Sequence, residues 1–218
     1  MVIPGLSEAN PTVKCLAETG DTTVVSTVTS ANSQIWMDRN LGASQVATAI
    51  DDEFAFGDLY QWGRAGDEHQ CRESDTITTQ ASTAAPADTI AWNGKFIIGE
   101  DWLATQADNL WQGANGTNNP CPSGFRLPTE AEWQAEINSW SDKNAAGAMA
   151  SPLKLPSAGY RRNSSGELSG DGIGGNYWSS SVSGSKARAQ LWTSANSDNA
   201  FLFSYSRAGG LSVRCIKD

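Results

Sequence analysis

The only histidine of the sequence, His69, stands in Asp67-Glu68-His69-Gln70-Cys71. Imidazole, thiol and carboxylate so close together are the groups that ligate a metal or move a proton. The run is polar throughout, which predicts a solvated loop, and any Ser-His-Asp arrangement would have to be built on this one imidazole. Two carboxylate sets have the chemistry of a general acid paired with a general base. They are Asp51-Asp52-Glu53 and Glu130 with Glu132, and the second pair is explained more simply by helix capping. Gly170-Asp171-Gly172-Ile173-Gly174-Gly175 alternates glycines but has no apolar strand before it and no helix after it. That makes it a tight loop and not a dinucleotide site. No catalytic residue, metal or cofactor is therefore expected. The four cysteines, Cys15, Cys71, Cys121 and Cys215, are scattered with no close pair. Zinc sites usually take two ligands from one short loop, so disulfides in an oxidising compartment are the better reading. Two sequons, at Asn115 and Asn163, suggest exposed loops.

These residues need a scaffold, and the composition describes it. At 218 residues the chain is expected to form one domain, 1–218, with an N-terminal strand region over 1–32. A net charge of -9 excludes nucleic acid as a partner, because the surface would repel phosphates. Apolar runs such as 95–99 are far shorter than the ~20 residues that span a bilayer, so no membrane insertion is expected. Nine tryptophans accompany only 18% charged residues, against a usual ~25%. With 21 glycines and many Ser, Thr and Asn, this predicts a loop-rich fold held by aromatic plugs and side-chain hydrogen bonds.

Residues 22–29 are almost all β-branched and are followed, after a polar break, by residues 33–38, which predicts a hairpin. Leu59 and Trp62 are three apart between Gly57 and Gly63, the spacing of a short helix. Residues 66–120 lack periodicity, so their loops must be structured by themselves. In Leu127-Pro128-Thr129-Glu130-Ala131-Glu132, Thr129 and Glu132 form a capping box. Trp133, Ile137 and Trp140 then recur at helical spacing, so a helix is placed over 129–140 with that stripe buried. Short strands are expected at 153–155, 158–161, 176–180, 187–193, 201–205 and 211–216. Strands dominate the second half, and the fold class is α+β.

Five segments occur in an order that resembles a known family. They are Ile35-Trp36-Met37-Asp38-Arg39-Asn40-Leu41-Gly42-Ala43, Gly57-Asp58-Leu59-Tyr60-Gln61-Trp62-Gly63, Cys121-Pro122-Ser123-Gly124-Phe125-Arg126-Leu127-Pro128-Thr129, Tyr177-Trp178-Ser179-Ser180 and Leu211-Ser212-Val213-Arg214-Cys215. The chain resembles the major paralogous (FISUMP-type) domain, a C-type lectin fold of the formylglycine-generating-enzyme type. Its C-terminal part resembles the variable proteins of diversity-generating retroelements. The resemblance covers roughly residues 33–218. It implies a non-enzymatic binding protein whose segment 177–215 is diversified by adenine-directed reverse transcription. Its partner would be a variable protein or glycan ligand, the protein a monomer, and its place extracellular, on a cell or virion surface.

Diversified asparagine codons yield Phe, Leu, Ser, Tyr, Ala and Gly but never Trp, Lys, Gln, Glu or Met. By that rule Ala189, Leu191, Ser194, Phe201, Phe203, Ser204, Tyr205, Ser206 and Gly209 are the candidate ligand-binding residues, expected on one solvent-facing patch. Lys186, Gln190 and Trp192 are scaffold. Phe201, Phe203 and Tyr205 alternate along a strand and share a face, which by itself suits a core as well as a display surface. Under the resemblance they face solvent and Leu202 is the anchored residue. The resemblance also places Cys121 and Cys215 where binding members carry a structural bridge, which argues against oxidase activity. Cys15 with Cys71 follows only by elimination, and both could be free. Trp36, Trp62, Trp133 and Trp178 lie in scaffold motifs and are expected to be buried. The alternatives are a formylglycine-generating-type oxidase, a hydrolase and a calcium-dependent lectin. For the last, the usual Glu-Pro-Asn, Gln-Pro-Asp and Trp-Asn-Asp signatures are absent, and 196–199 is a weak substitute.

Overall fold

The β-branched run ends in an antiparallel hairpin, β1 (Thr27–Thr29) with β2 (Ile35–Met37), Val28 opposite Trp36. The hairpin belongs to a computed structural model that describes residues 25–85, 91–192 and 200–218. After it come β3 (Tyr60–Gln61), β4 (Thr76–Ile77), β5 (Phe96–Ile97) and β6 (Phe125–Arg126). The two helices are α1 (Glu130–Ser139) and α2 (Ala145–Ala150). The chain then runs through β7 (Ala158–Arg161), β8 (Leu168–Asp171), β9 (Gly175–Ser183) and β10 (Lys186–Trp192). It ends with β11 (Phe201–Ser206), β12 (Gly210–Leu211) and β13 (Ile216–Lys217). The class is mixed α and β, with strands dominant.

Among the described residues the strands form three sheets. One has the order β1-β2-β13-β6, and the largest runs β11-β10-β9-β7-β12-β3 with β8 paired to β7. A small parallel pair, β4-β5, orders the aperiodic middle of the chain. Ile216 pairs with both Trp36 and Arg126, so the C-terminal strand closes the hairpin sheet.

The helix start is the one the capping box predicts. Thr129 Oγ1 accepts the Glu132 N–H at 3.2 Å and Glu132 Oε2 accepts the Thr129 N–H at 2.7 Å. Trp133, Ile137 and Trp140 are buried from it. All eight tryptophans whose side chains are described are buried, Trp36, Trp62, Trp133 and Trp178 to 1% exposure or less. Their indoles also serve the irregular backbone. Trp62, Trp102, Trp111, Trp133 and Trp178 each donate their Nε1–H to a main-chain carbonyl, of Ser179, Trp62, Asn118, Trp178 and Tyr60 respectively. A buried loop carbonyl would otherwise lack a donor. Buried arginines do the same from the cationic side: Arg214 donates to the carbonyls of Met37 and Leu153 and twice to Asn40 Oδ1.

Some expectations are corrected. The segment around 58–62 is no helix: its N–H groups go to four distant acceptors, Leu41 O, Gln70 O, His69 Nε2 and Arg207 O. Gly57 and Gly63 bracket it at φ 67° and 81°, and Leu59 and Trp62 are both buried because the strand is covered on both sides. Residues 153–155 form a turn, since Lys154 has φ 46° and its N–H bonds to Ser151 O. Leu153 and Leu155 are nevertheless fully buried. The strand expected over 211–216 is divided between two sheets. Ser212 exchanges backbone bonds with Asn176 and Trp178, while the Cys215 carbonyl accepts the Met37 N–H. Residues 172–174 of the Gly170–Gly175 run form the tight loop expected, while its ends belong to β8 and β9, which it joins.

Candidate functional site

Strands β10 and β11 pair in regular antiparallel register, with Ala187 opposite Tyr205, Ala189 opposite Phe203 and Leu191 opposite Phe201. Directly opposed residues share a face, so Phe201, Phe203 and Tyr205 form a row with the alanines beside it. The rings follow one another at centroid distances of 6.4 Å (Phe201 to Phe203) and 5.7 Å (Phe203 to Tyr205). The row is graded in exposure. Phe201 is 47% exposed, while Phe203 and Tyr205 are half-buried against the core formed by Trp62, Trp111, Trp178, Leu211 and the Cys121–Cys215 bridge.

The row does not end with β11. The chain turns through 207–209 into β12, whose Gly210 pairs with Arg161 of β7. This brings Tyr160 edge-on to Tyr205, with ring centroids 6.0 Å apart. The exposed Arg162 guanidinium lies 5.7 Å over the Tyr160 ring. Tyr160 and Arg162 were missed in sequence because only the β12–β7 pairing joins them to the row. Burial, then the neighbouring Tyr160, pushes the Tyr205 hydroxyl up to about 12, so it is a neutral donor and not a phenolate base.

On the opposite face of the same strands lie Leu202 and Ser204. Leu202 packs against the core of Trp36, Trp133, Ile137 and Tyr177, the anchored position expected of it. Ser204 Oγ accepts from Arg188 Nη1 at 3.0 Å, and Arg188 also bonds to Glu130 on α1 at 2.8 Å. This face therefore fastens the strand pair to the helix.

The expected single patch is thus only partly assembled. Ala189 is fully buried, with Phe203 opposite it on β11 and Trp178 opposite it on β9. Ser206 is buried, and its hydroxyl donates to the Glu100 carbonyl. Gly209 is buried because Tyr205 fills the space where a side chain would go: a Cβ would meet the ring at 2.2 Å. Ser204 faces the helix side. Ser194 and the weak calcium-site substitute 196–199 lie outside the described residues, as do the side chains of Gln190, Leu191 and Trp192.

The sequence also singled out His69 for chemistry, and the solvated loop expected there is corrected. His69 is fully buried, with Nδ1 2.6 Å from Asp67 Oδ1. Its Nε2 accepts the Gln61 N–H at 3.1 Å, which fixes the proton on Nδ1 and leaves no nitrogen for a substrate. Burial and the nearby Arg64 push the imidazole down to about 4 despite Asp67. Burial opposes ionisation of Asp67, but His69 and Arg64 outweigh it and hold the carboxyl at about 2. Glu132 is committed to its capping box and to Arg126 at 2.8 Å, and Asp52 to Gln45 and Thr48. Among the described residues no three His, Cys, Asp or Glu groups are placed to hold a metal.

Cys121 and Cys215 form a disulfide with Cα atoms 5.9 Å apart. Cys71 is not a free thiol, and its expected partner, Cys15, lies outside the described residues. No described helix is long and apolar enough to cross a membrane. Of the sequon residues Asn115 is exposed, whereas Asn163 uses its amide to bond Gly99 O at 2.9 Å. No protein-family model, curated protein or solved structure matches the chain.

Proposed function

We propose that this protein is a non-enzymatic ligand-binding protein with a C-type-lectin-type fold, on which β11 presents variable contact residues. The observation that carries this reading is the graded aromatic row: Phe201 stands 47% exposed at the end of a line of rings that continues into the core. An exposed ring held by ringed neighbours gives rigid, amphipathic contact area at little entropy cost, the property that makes aromatics frequent in paratopes. Residues 201–206 are moreover all of types reachable from diversified asparagine codons. The Trp178 and Trp133 beneath them are not. The Arg188–Glu130 tie and the buried Ala189 keep the strand pair in place independently of what β11 presents. The ligand belongs to a protein or glycan on a cell or virion surface, and the Cys121–Cys215 bridge suits such an oxidising setting.

The reading is tested by replacing Phe201, Phe203 and Tyr205 together with Ser and following thermal unfolding. Partial burial of three rings amounts to about 3 kcal/mol, taking ~1.5 to 3 for one fully buried ring. The variant should unfold cooperatively at a lowered temperature. A loss near ~10 kcal/mol, as three core rings would give, returns the row to the core and removes the binding surface.

A further inference from the structure

Among the described residues β11 is an end strand of the largest sheet. Which way its main chain points follows from the β9–β10 turn. Ser183 and Lys186 close a two-residue turn, so the Lys186 N–H and C=O face β9, whereas those of Ala187 and Ala189 face β11 and bond to Tyr205 and Phe203. The main-chain groups of Leu202, Ser204 and Ser206 therefore point away from the sheet. Two bonds agree with this: the Ala200 N–H goes outward to Lys143 O at 2.7 Å, and the Ser206 carbonyl accepts the Gly209 N–H at 3.0 Å. Between them the N–H and C=O groups of Leu202 and Ser204 have no partner among the described residues.

Proteins usually guard such an edge with a charge, a proline or a bulge. Phe201–Ser206 has no charge and no proline, and its register with β10 is unbroken. The free groups call for another extended main chain, and their symmetry about Phe203 selects it. A second β11 laid antiparallel, with Phe203 opposite its own copy, brings Leu202 of each chain opposite Ser204 of the other, where both N–H and both C=O groups pair. Charge selects the same direction. Lys143 lies at the Ala200 end of the strand, and the exposed Glu100 lies at the Ser206 end, where its carbonyl accepts the Ser206 hydroxyl. Antiparallel pairing turns each lysine toward the other copy's glutamate, and parallel pairing would set like against like. We infer that two copies of this chain pair edge to edge through β11, on a two-fold axis at Phe203, into one continuous sheet. The pairing consumes both β11 edges, so assembly stops at two. It replaces the monomer that the resemblance implies, and because main chain makes it, it does not rest on the function proposed for the aromatic row.

The test is sedimentation velocity of the full chain from micromolar to millimolar concentration, with amide hydrogen exchange measured at both ends of that range. A monomer–dimer equilibrium is expected, in which the Leu202 and Ser204 amides exchange at least about tenfold more slowly at the high concentration. The Phe203 amide, already bonded to β10, should change less. Ser204→Pro and Ser204→Ala both lose the hydroxyl that accepts from Arg188, but only proline removes the outward N–H, at a position that costs no bond to β10. Proline should weaken the dimer at least about tenfold relative to alanine. If the proline variant does not fold, exchange in the unaltered protein decides alone. A monomer at every concentration, a dimer that folded Ser204→Pro leaves as strong, or Leu202 and Ser204 amides as slow in the monomer as in the dimer overturns the pairing.

Discussion

His69 is held neutral by what surrounds it, since burial and Arg64 disfavour a second proton and the Gln61 N–H occupies the nitrogen that would take it. An NMR titration should therefore find the imidazole neutral until about pH 4. Asp67→Asn removes the one charge that favours protonation and should lower that value further; a rise would contradict the assignment. Asp58 is the opposite case. Burial raises its carboxyl to about 7 against the pull of Arg72, and its Oδ2 has no partner. The folded protein keeps a proton that the unfolded chain releases near 3.8, so stability is lost as pH rises from there to about 7. The loss is up to about 4 kcal/mol. Asp58→Asn should gain stability relative to the wild type over that window, as read from denaturant unfolding at pH 4 and pH 7. An equal difference at both would refute the buried-proton account. Neither residue was legible as buried. The polar neighbours of His69 suggest solvent, and only the arrival of Arg64 and β3 from outside the segment encloses it.

On the proposed function, the strand pair β10–β11 carries exposed residues that are free to vary beside buried ones that are not. Phe201→Ser should cost less than ~1 kcal/mol, because the ring is nearly half in water already. Ala189→Leu should cost ~1 to 3 kcal/mol by overpacking the gap between Phe203 and Trp178. Trp178→Ala should cost ~3 to 5 kcal/mol. Melting temperatures in that order support a display strand on a fixed base, and a costlier Phe201→Ser than Ala189→Leu reverses it. The alternation of rings was readable from the sequence, because period two fixes which side chains share a face. The burial of Ala189 was not, because it depends on cross-strand neighbours that alternation alone does not name. Helix α1 was readable for a local reason, its capping box and stripe. The 58–62 segment was misread because a strand covered on both sides buries residues three apart without helical period.

Among the described residues three hydrophobic cores share the molecule, the third around Trp92, Trp102 and Leu110, and long-range ties join them. Trp133 donates to Trp178 O and Trp102 to Trp62 O, while the Cys121–Cys215 bridge links chain positions 94 apart within one core. Removing that bridge with Cys121→Ala and Cys215→Ala should cost about 4 to 5 kcal/mol in the loop-entropy account, read as a fall in the denaturant midpoint. No change would mean the cores alone fix the topology. The composition announced this architecture, many tryptophans and few charges, but not which carbonyl each indole would cap, since those pairs lie far apart in sequence. On the proposed function, this scaffold carries a segment rewritten at asparagine codons. Sequencing the DNA that flanks the coding region tests it most directly. The predicted result is a near-copy of the segment encoding β10 to β13, differing from it at adenines within the candidate codons, beside a reverse transcriptase gene. No near-copy, or one whose differences fall on the Lys186, Trp192 and Cys215 codons instead, would contradict it.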